Sequence, residues 1–133
     1  MNTVKPRFSF SKKEHLCSRK VIEKIFTVGK AINENDLRLL WIEDFLEKKI
    51  PLKVAISVPK KNFKKAVDRN KIKRQIREAY RLTKHLIAAD LLREEKKYAC
   101  IIICTGKKHL TFQEMQARIF VTLQRFVKDA CKR

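Results

Sequence analysis

Residues 60–84, KKNFKKAVDRNKIKRQIREAYRLTK, leave the chain little conformational freedom. Read at about 100° per residue, they form one helix with two opposed faces. Ile72, Ile76, Ala79, Tyr80, Thr83 and, one turn on, Ile87 gather on one side. Asn70, Lys73, Arg74, Arg77, Arg81 and Lys84 gather on the other, at steps of three and four. Side chains so spaced stand above one another on a helix surface. The apolar side therefore has to be covered by another layer, and the basic side repels itself. That repulsion costs roughly 0.2–0.5 kcal/mol per like-charged pair. Only Asp68 and Glu78 in this stretch are acidic, too few to offset it. An external polyanion would cancel it.

The whole chain leans the same way. Its 133 residues carry 33 Lys+Arg against 14 Asp+Glu, a net charge of +19. Positive charge clustered on one face is the footprint of a nucleic-acid binder, whereas a merely solvated surface mixes both signs. Membrane surfaces attract the same charge. However, no segment approaches the roughly 20 apolar residues of a membrane span. The first ten residues, MNTVKPRFSF, lack the apolar run of a signal peptide and read as a flexible basic arm. The expectation is a cytoplasmic protein forming one domain over residues 1–133. Its 44% hydrophobic residues suffice for one core, and with two Gly and three Pro it has no linker-like stretch.

Cysteine usage fits that compartment. Cys100 and Cys104 lie in a strand-like run, YACIIICTG, which puts their Cα atoms roughly 13 Å apart. That is too far for a disulfide or a shared metal, so both are expected to be buried free thiols. Cys17 and Cys131 fall in stretches that read as helical. No protein metal site is predicted.

Around the basic helix the pattern is mixed. Ser11 with Glu14 has the form of a capping box, and Ser18 can cap a helix carrying Val21, Ile22, Ile25, Phe26 and Val28, with Gly29 just past its end. Core packing is the plainer reading of Ile22 and Phe26. Lys30–Ile32 and Leu37–Ile42 read as strands, and Glu43–Lys49 as a polar turn. Lys53–Val58 alternates Val54, Ile56 and Val58 against Ala55 and Ser57, and Pro59 ends it. The basic helix starts between Lys64 and Asp68. Tyr98–Thr105 is apolar on both faces and so central. Thr111 with Glu114 forms a capping box, Leu110 and Met115 a hydrophobic staple, and Met115, Ile119, Leu123, Phe126 and Ala130 a core stripe. The order helix, three strands, helix, strand, helix predicts an α/β (α+β) two-layer sandwich on a small sheet.

The run Ser57-Val58-Pro59-Lys60-Lys61, followed by Ala66-Val67-Asp68-Arg69-Asn70-Lys71-Ile72-Lys73-Arg74-Gln75-Ile76-Arg77-Glu78-Ala79-Tyr80-Arg81, resembles the signature of the bacterial ribonuclease P protein subunit. The resemblance extends to the pattern ending in Phe26 and Gly29, the element order, and the apolar strand before the last helix. It implies a sheet crossed by the basic helix through a left-handed β-α-β connection, against the general rule of handedness. It implies a protein that binds a catalytic RNA and the 5′ leader of precursor tRNA. The RNA and its Mg²⁺ ions would perform the endonucleolytic cut, and no obligate protein partner or membrane is implied. Carried over by position, Arg69, Asn70, Lys71, Lys73, Arg74, Arg77 and Arg81 would face the catalytic RNA. Phe26, Ser57, Lys60 and Lys61 would line a leader-binding cleft between the sheet and the basic helix. Ile22 stands where many members carry an aromatic, and Lys71 where Arg is usual. The first loses a stacking surface, and the second keeps the charge but loses the planar fork.

Other readings meet obstacles in the sequence. A free-standing metal nuclease needs converging acids or histidines, and His15, His85 and His109 fall in different elements. A helix-turn-helix needs a helix, not a strand, ahead of the basic helix. A membrane-surface helix would leave the strands uncovered. A structural RNA-binding protein of the ribosome differs only in lacking the long central motif.

Overall fold

In the computed structural model, residues 14–43, 52–93 and 96–131 are described. The chain runs α1 (Arg19–Val28), β1 (Lys30–Glu34), β2 (Leu37–Glu43), β3 (Leu52–Ser57), α2 (Ala66–Thr83), α3 (His85–Arg93), β4 (Tyr98–Cys104) and α4 (Phe112–Ala130). The strands form one sheet in the order β1-β2-β4-β3. β1 and β2 are an antiparallel hairpin, β2 and β4 are antiparallel, and β3 and β4 are parallel. A parallel pair needs a long crossover, and α2 with α3 supplies it. The expected mixed α/β architecture is therefore present, with one element added. The basic helix ends at Thr83, whose hydroxyl donates to the carbonyl of Ala79 at 2.8 Å, and α3 restarts beyond Lys84. The apolar periodicity runs unbroken to Ile87, which is why the sequence reads as a single helix.

Strand parity separates two apolar clusters. Leu39 faces Ile102 across the β2–β4 ladder, and both join Val54, Cys100 and the apolar side of α2 and α4. Leu40 faces Ile101, and both join Val21 and Ile25 of α1 on the opposite face. Helices α2 to α4 thus cover one face of the sheet, and α1 covers part of the other. β4 lies between β2 and β3 and is buried at every residue except Ile103, as its two-faced apolarity predicts. Trp41, Tyr98 and Phe126 meet edge-to-face with centroids 5.4–5.6 Å apart, the favoured geometry for aromatic quadrupoles.

Local signals account for the helix ends. The Ser18 hydroxyl accepts from the amide of Val21 at 3.4 Å, and the Thr111–Glu114 box is closed on both sides at 3.1 and 3.0 Å. Gly29 follows α1 without the left-handed backbone usual after a helix, since its φ is −70°. Close approach is what its position requires: a Cβ there would lie 2.3 Å from the carbonyl oxygen of Ile25. Cys100 and Cys104 are buried free thiols, and burial pushes both up from their ordinary pKa. Cys17, expected in a helix, is exposed before α1, because the cap at Ser18 starts the helix after it. Cys131 stands one residue past α4 as its cap. The basic arm (residues 1–10), Ser11, and the polar turn beyond Glu43 lie outside the described residues. So do Glu94 and Glu95.

Candidate nucleic-acid interface

Every residue of the predicted apolar side is buried: Ile72, Ile76, Ala79, Tyr80, Thr83 and Ile87. That burial fixes the rotation of α2 and turns its basic side outward. Asn70, Lys71, Arg74 and Arg77 are exposed and Lys73 is half-buried. Among the described residues, no carboxylate pairs with any of the four cations. Their charge is therefore available to an external partner.

The other cations of the motif are engaged inside the protein. Arg69 stands round the helix from the stripe. Its guanidinium donates to the carbonyls of Phe63 at 3.0 Å and Lys64 at 2.8 Å, tying the preceding loop to the first turn of α2. Arg81 pairs with Glu78, donating from Nε at 3.2 Å. That hydrogen bond holds the Glu78 carboxyl below the usual carboxylate range and raises Arg81 above its own. Lys84 pairs with Glu14, both side chains largely covered. The continuous row read in the sequence is thus shorter in space.

Phe26, Ser57, Lys60 and Lys61 do not lie between the sheet and α2. That interval is filled by Ile72, Ile76 and Tyr80 against Val54, Cys100 and Ile102, so no strand of RNA can enter it. The physical reason is the amphipathicity of α2 itself, which seals the helix onto the sheet. Ser57 faces the opposite way, opposite Ile103 in the β3–β4 register, on the side where α1 packs. Phe26 projects from α1 and is 59% exposed, which disposes of a core role. Its neighbour one turn back, Ile22, is half-buried against the α1 cluster. Lys60 and Lys61 are exposed in the turn after Pro59, at the carboxyl end of β3. The open part of this face holds half-buried Ala55 and Ile103 and the exposed Arg38. An apolar floor edged by cations suits an unpaired, charged strand.

Two loop segments escaped the sequence reading. Lys64 and Lys65, and Lys107 and Lys108, are exposed at the same end of the molecule. Parallel pairing of β3 with β4 brings them together, and only the strand order would have shown it. No group of three His, Cys, Asp or Glu side chains able to hold a metal ion occurs among the described residues. No helix among them is long and apolar enough to cross a membrane.

Comparison with known proteins decides the family. The model of the family described as Ribonuclease P matches residues 10–127. The chain belongs to the ribonuclease P family. A ribonuclease P protein component of Porphyromonas gingivalis is 41% identical over 99 residues, covering 74% of this chain and 72% of that protein. One of Nitrosococcus oceani is 32% identical over 75 residues, covering 56% and 60%. Among solved structures, the RNase P protein of Thermotoga maritima superposes with a TM-score of 0.67 at 25% identity, over 84% of this chain and 96% of that one. That of Staphylococcus aureus gives 0.67 at 24%, over 85% and 94%. Membership makes this chain a protein component of the ribonuclease P endoribonuclease, with ribonuclease P RNA as its partner in tRNA processing.

Proposed function

We propose that this chain docks on the catalytic RNA through the outward face of α2 and holds the 5′ leader of precursor tRNA on the sheet face beside α1, promoting Mg²⁺-dependent removal of the leader. One observation carries the reading: among the described residues, Lys71, Lys73, Arg74 and Arg77 have no carboxylate partner, on a helix whose other side is sealed into the core. Cations on a rigid helix fix the register of a phosphate backbone without reading sequence. Phe26 offers a ring on which one unpaired base can stack, and Ser57, Lys60 and Lys61 supply polar and cationic contacts to its backbone. Stacking plus charge is sequence-tolerant and suits leaders of varied sequence. In this reading the Mg²⁺ ions are held by the RNA. The bond is cut by groups on the RNA, and this chain positions the substrate.

Reconstitution tests the proposal. The protein is combined with a bacterial ribonuclease P RNA and a precursor tRNA at limiting Mg²⁺. Cleavage at a Mg²⁺ concentration where the RNA alone is inactive is expected, together with no cleavage by the protein alone. Equal activity with and without the protein would sink the proposal and favour a purely structural RNA-binding role.

A further inference from the structure

Residues 14–16 cross the edge of the sheet at β3. In the strand order β1-β2-β4-β3, β3 is an edge, and His15 meets it through a parallel bridge to Val54. The Leu16 amide donates to the Val54 carbonyl at 2.9 Å. From this point side chains go to both faces. Leu16 is buried with Val21, Ile25 and Leu40 on the α1 face. The Glu14 carboxylate reaches the ammonium of Lys84, the residue between α2 and α3 on the other face. Cys17 follows, and Ser18 then caps α1.

Helix α1 depends on such anchors. Its ten residues are too few to be stable alone, and two of them, Val21 and Ile25, are buried. Its far end is fixed by β1, which begins at Lys30. Its near end is fixed by the strap at β3. Phe26 projects about two turns beyond the cap, so the seating of the near end sets where the ring stands.

The ion pair is a poor source of stability. Its side chains are 13% and 18% exposed, and removing two charges from water offsets most of their attraction. An apolar pair would hold the edge as well. A covered ion pair supplies register instead. Glu14 is the first acidic residue of the chain and Glu23 is the next, so Lys84 can be matched at one register of the strap only.

We propose that Glu14 and Lys84 are positioning residues for the leader: their pair fixes the start of α1 on the sheet edge and so holds Phe26 where an unpaired base can stack. The inference rests on the reading that the leader lies beside α1. Neither side chain needs to touch RNA.

The test measures the ratio of affinities for leader-bearing precursor and mature tRNA, with the protein saturating ribonuclease P RNA. Glu14→Gln and Lys84→Met should each lower the ratio about fivefold, the lower end of one base stack. The first makes the chain more basic and the second less. Net charge would therefore move leader binding in opposite directions, whereas loss of the pair lowers it in both. The double variant should lose no more than either single one, because the two side chains act as one contact. Lys84→Arg, which keeps the charge, should keep the ratio. So should Glu34→Gln, which opens the Arg125 pair at the other edge of the sheet. Wild-type ratios in both single variants would overturn the inference. So would opposite shifts in the two, losses that add in the double variant, or an equal loss in Glu34→Gln. Hydrogen exchange of the full-length chain without RNA gives a second readout. Glu14→Gln should speed exchange of the α1 amides and leave α4 protected. Unchanged exchange in α1 would overturn the positioning role and leave the leader reading standing. A wild type without preference for leader-bearing precursor would overturn the leader reading itself, and this use of the pair with it.

Discussion

Arg69 and Arg74 stand five residues apart on one helix and serve different ends. Arg74 points into solvent with no partner among the described residues, whereas Arg69 holds two loop carbonyls. Arg74→Ala and Arg77→Ala should each leave the thermal midpoint nearly unchanged and lower the salt slope of binding to ribonuclease P RNA by about 0.7–0.9. Unchanged affinity and slope in the double variant would make this face a solvated surface only. Arg69→Ala should instead lower the midpoint, because two carbonyls lose their charged donor. Phe26→Ala separates stacking from packing. A buried Phe costs about 3–5 kcal/mol of stability when truncated. At 59% exposure the midpoint should hardly move. Affinity for leader-bearing precursor should fall by about 1–3 kcal/mol, with mature tRNA unaffected. Equal loss for both RNAs would remove Phe26 from the leader path. The outward stripe and its buried counterpart were legible from spacing alone. The tethering of Arg69 was not, because a guanidinium reaches back along a helix to carbonyls whose position depends on the loop fold. The pairing of Lys84 with Glu14, 70 residues away in sequence, is equally invisible in a helical wheel.

At the scale of elements, caps and breaks decide where each face begins. The Thr111–Glu114 box was readable because both partners are three residues apart and the chemistry is local. Thr111→Ala should cost about 0.5–2 kcal/mol of stability. The same box gives a pH signature. The amide and hydroxyl of Thr111 hold the Glu114 carboxyl below its ordinary 4.5, and Arg81 does the same for Glu78. A carboxyl depressed in the folded state stabilises it above the unfolded value, and that contribution is lost as pH falls through the lower folded value. Below about pH 4.5, Glu114→Gln should therefore flatten the decline in stability seen by acid titration. A decline identical to wild type would mean the box is open in solution. Gly29 was read as a helix stop, and so it is, but for a reason that spacing could not supply. A Cβ there would lie 2.3 Å from the carbonyl oxygen of Ile25, so Gly29→Ala should force the last turn of α1 to shift. The break between α2 and α3 left no mark in the apolar pattern, since Ile87 and Leu91 bury against the same core.

Across the whole molecule, the sheet acts as a partition. Parity along β2, β3 and β4 sends Leu39, Val54 and Ile102 toward α2 and α4, and Leu40, Ala55 and Ile101 toward α1. Sequence alternation announced both faces. It could not place the proposed leader residues, because which helix covers which face depends on strand order, and the order β1-β2-β4-β3 is a property of non-local pairing. With the order known, the face under α2 is closed and the face beside α1 stays partly open. The two proposed RNA contacts then lie on opposite sides of a layer of packed side chains. Contacts separated in this way, with no shared partners, combine additively to within about 0.3–0.5 kcal/mol. The variant combining Phe26→Ala with Arg74→Ala and Arg77→Ala should therefore show two independent losses. Its affinity for ribonuclease P RNA should match that of the arginine double variant. Its loss of preference for leader-bearing precursor should match that of Phe26→Ala alone, measured with the protein saturating the RNA. A combined loss larger or smaller than the sum by more than about 1 kcal/mol would show that the two surfaces grip one continuous strand, and the partition would not separate their functions.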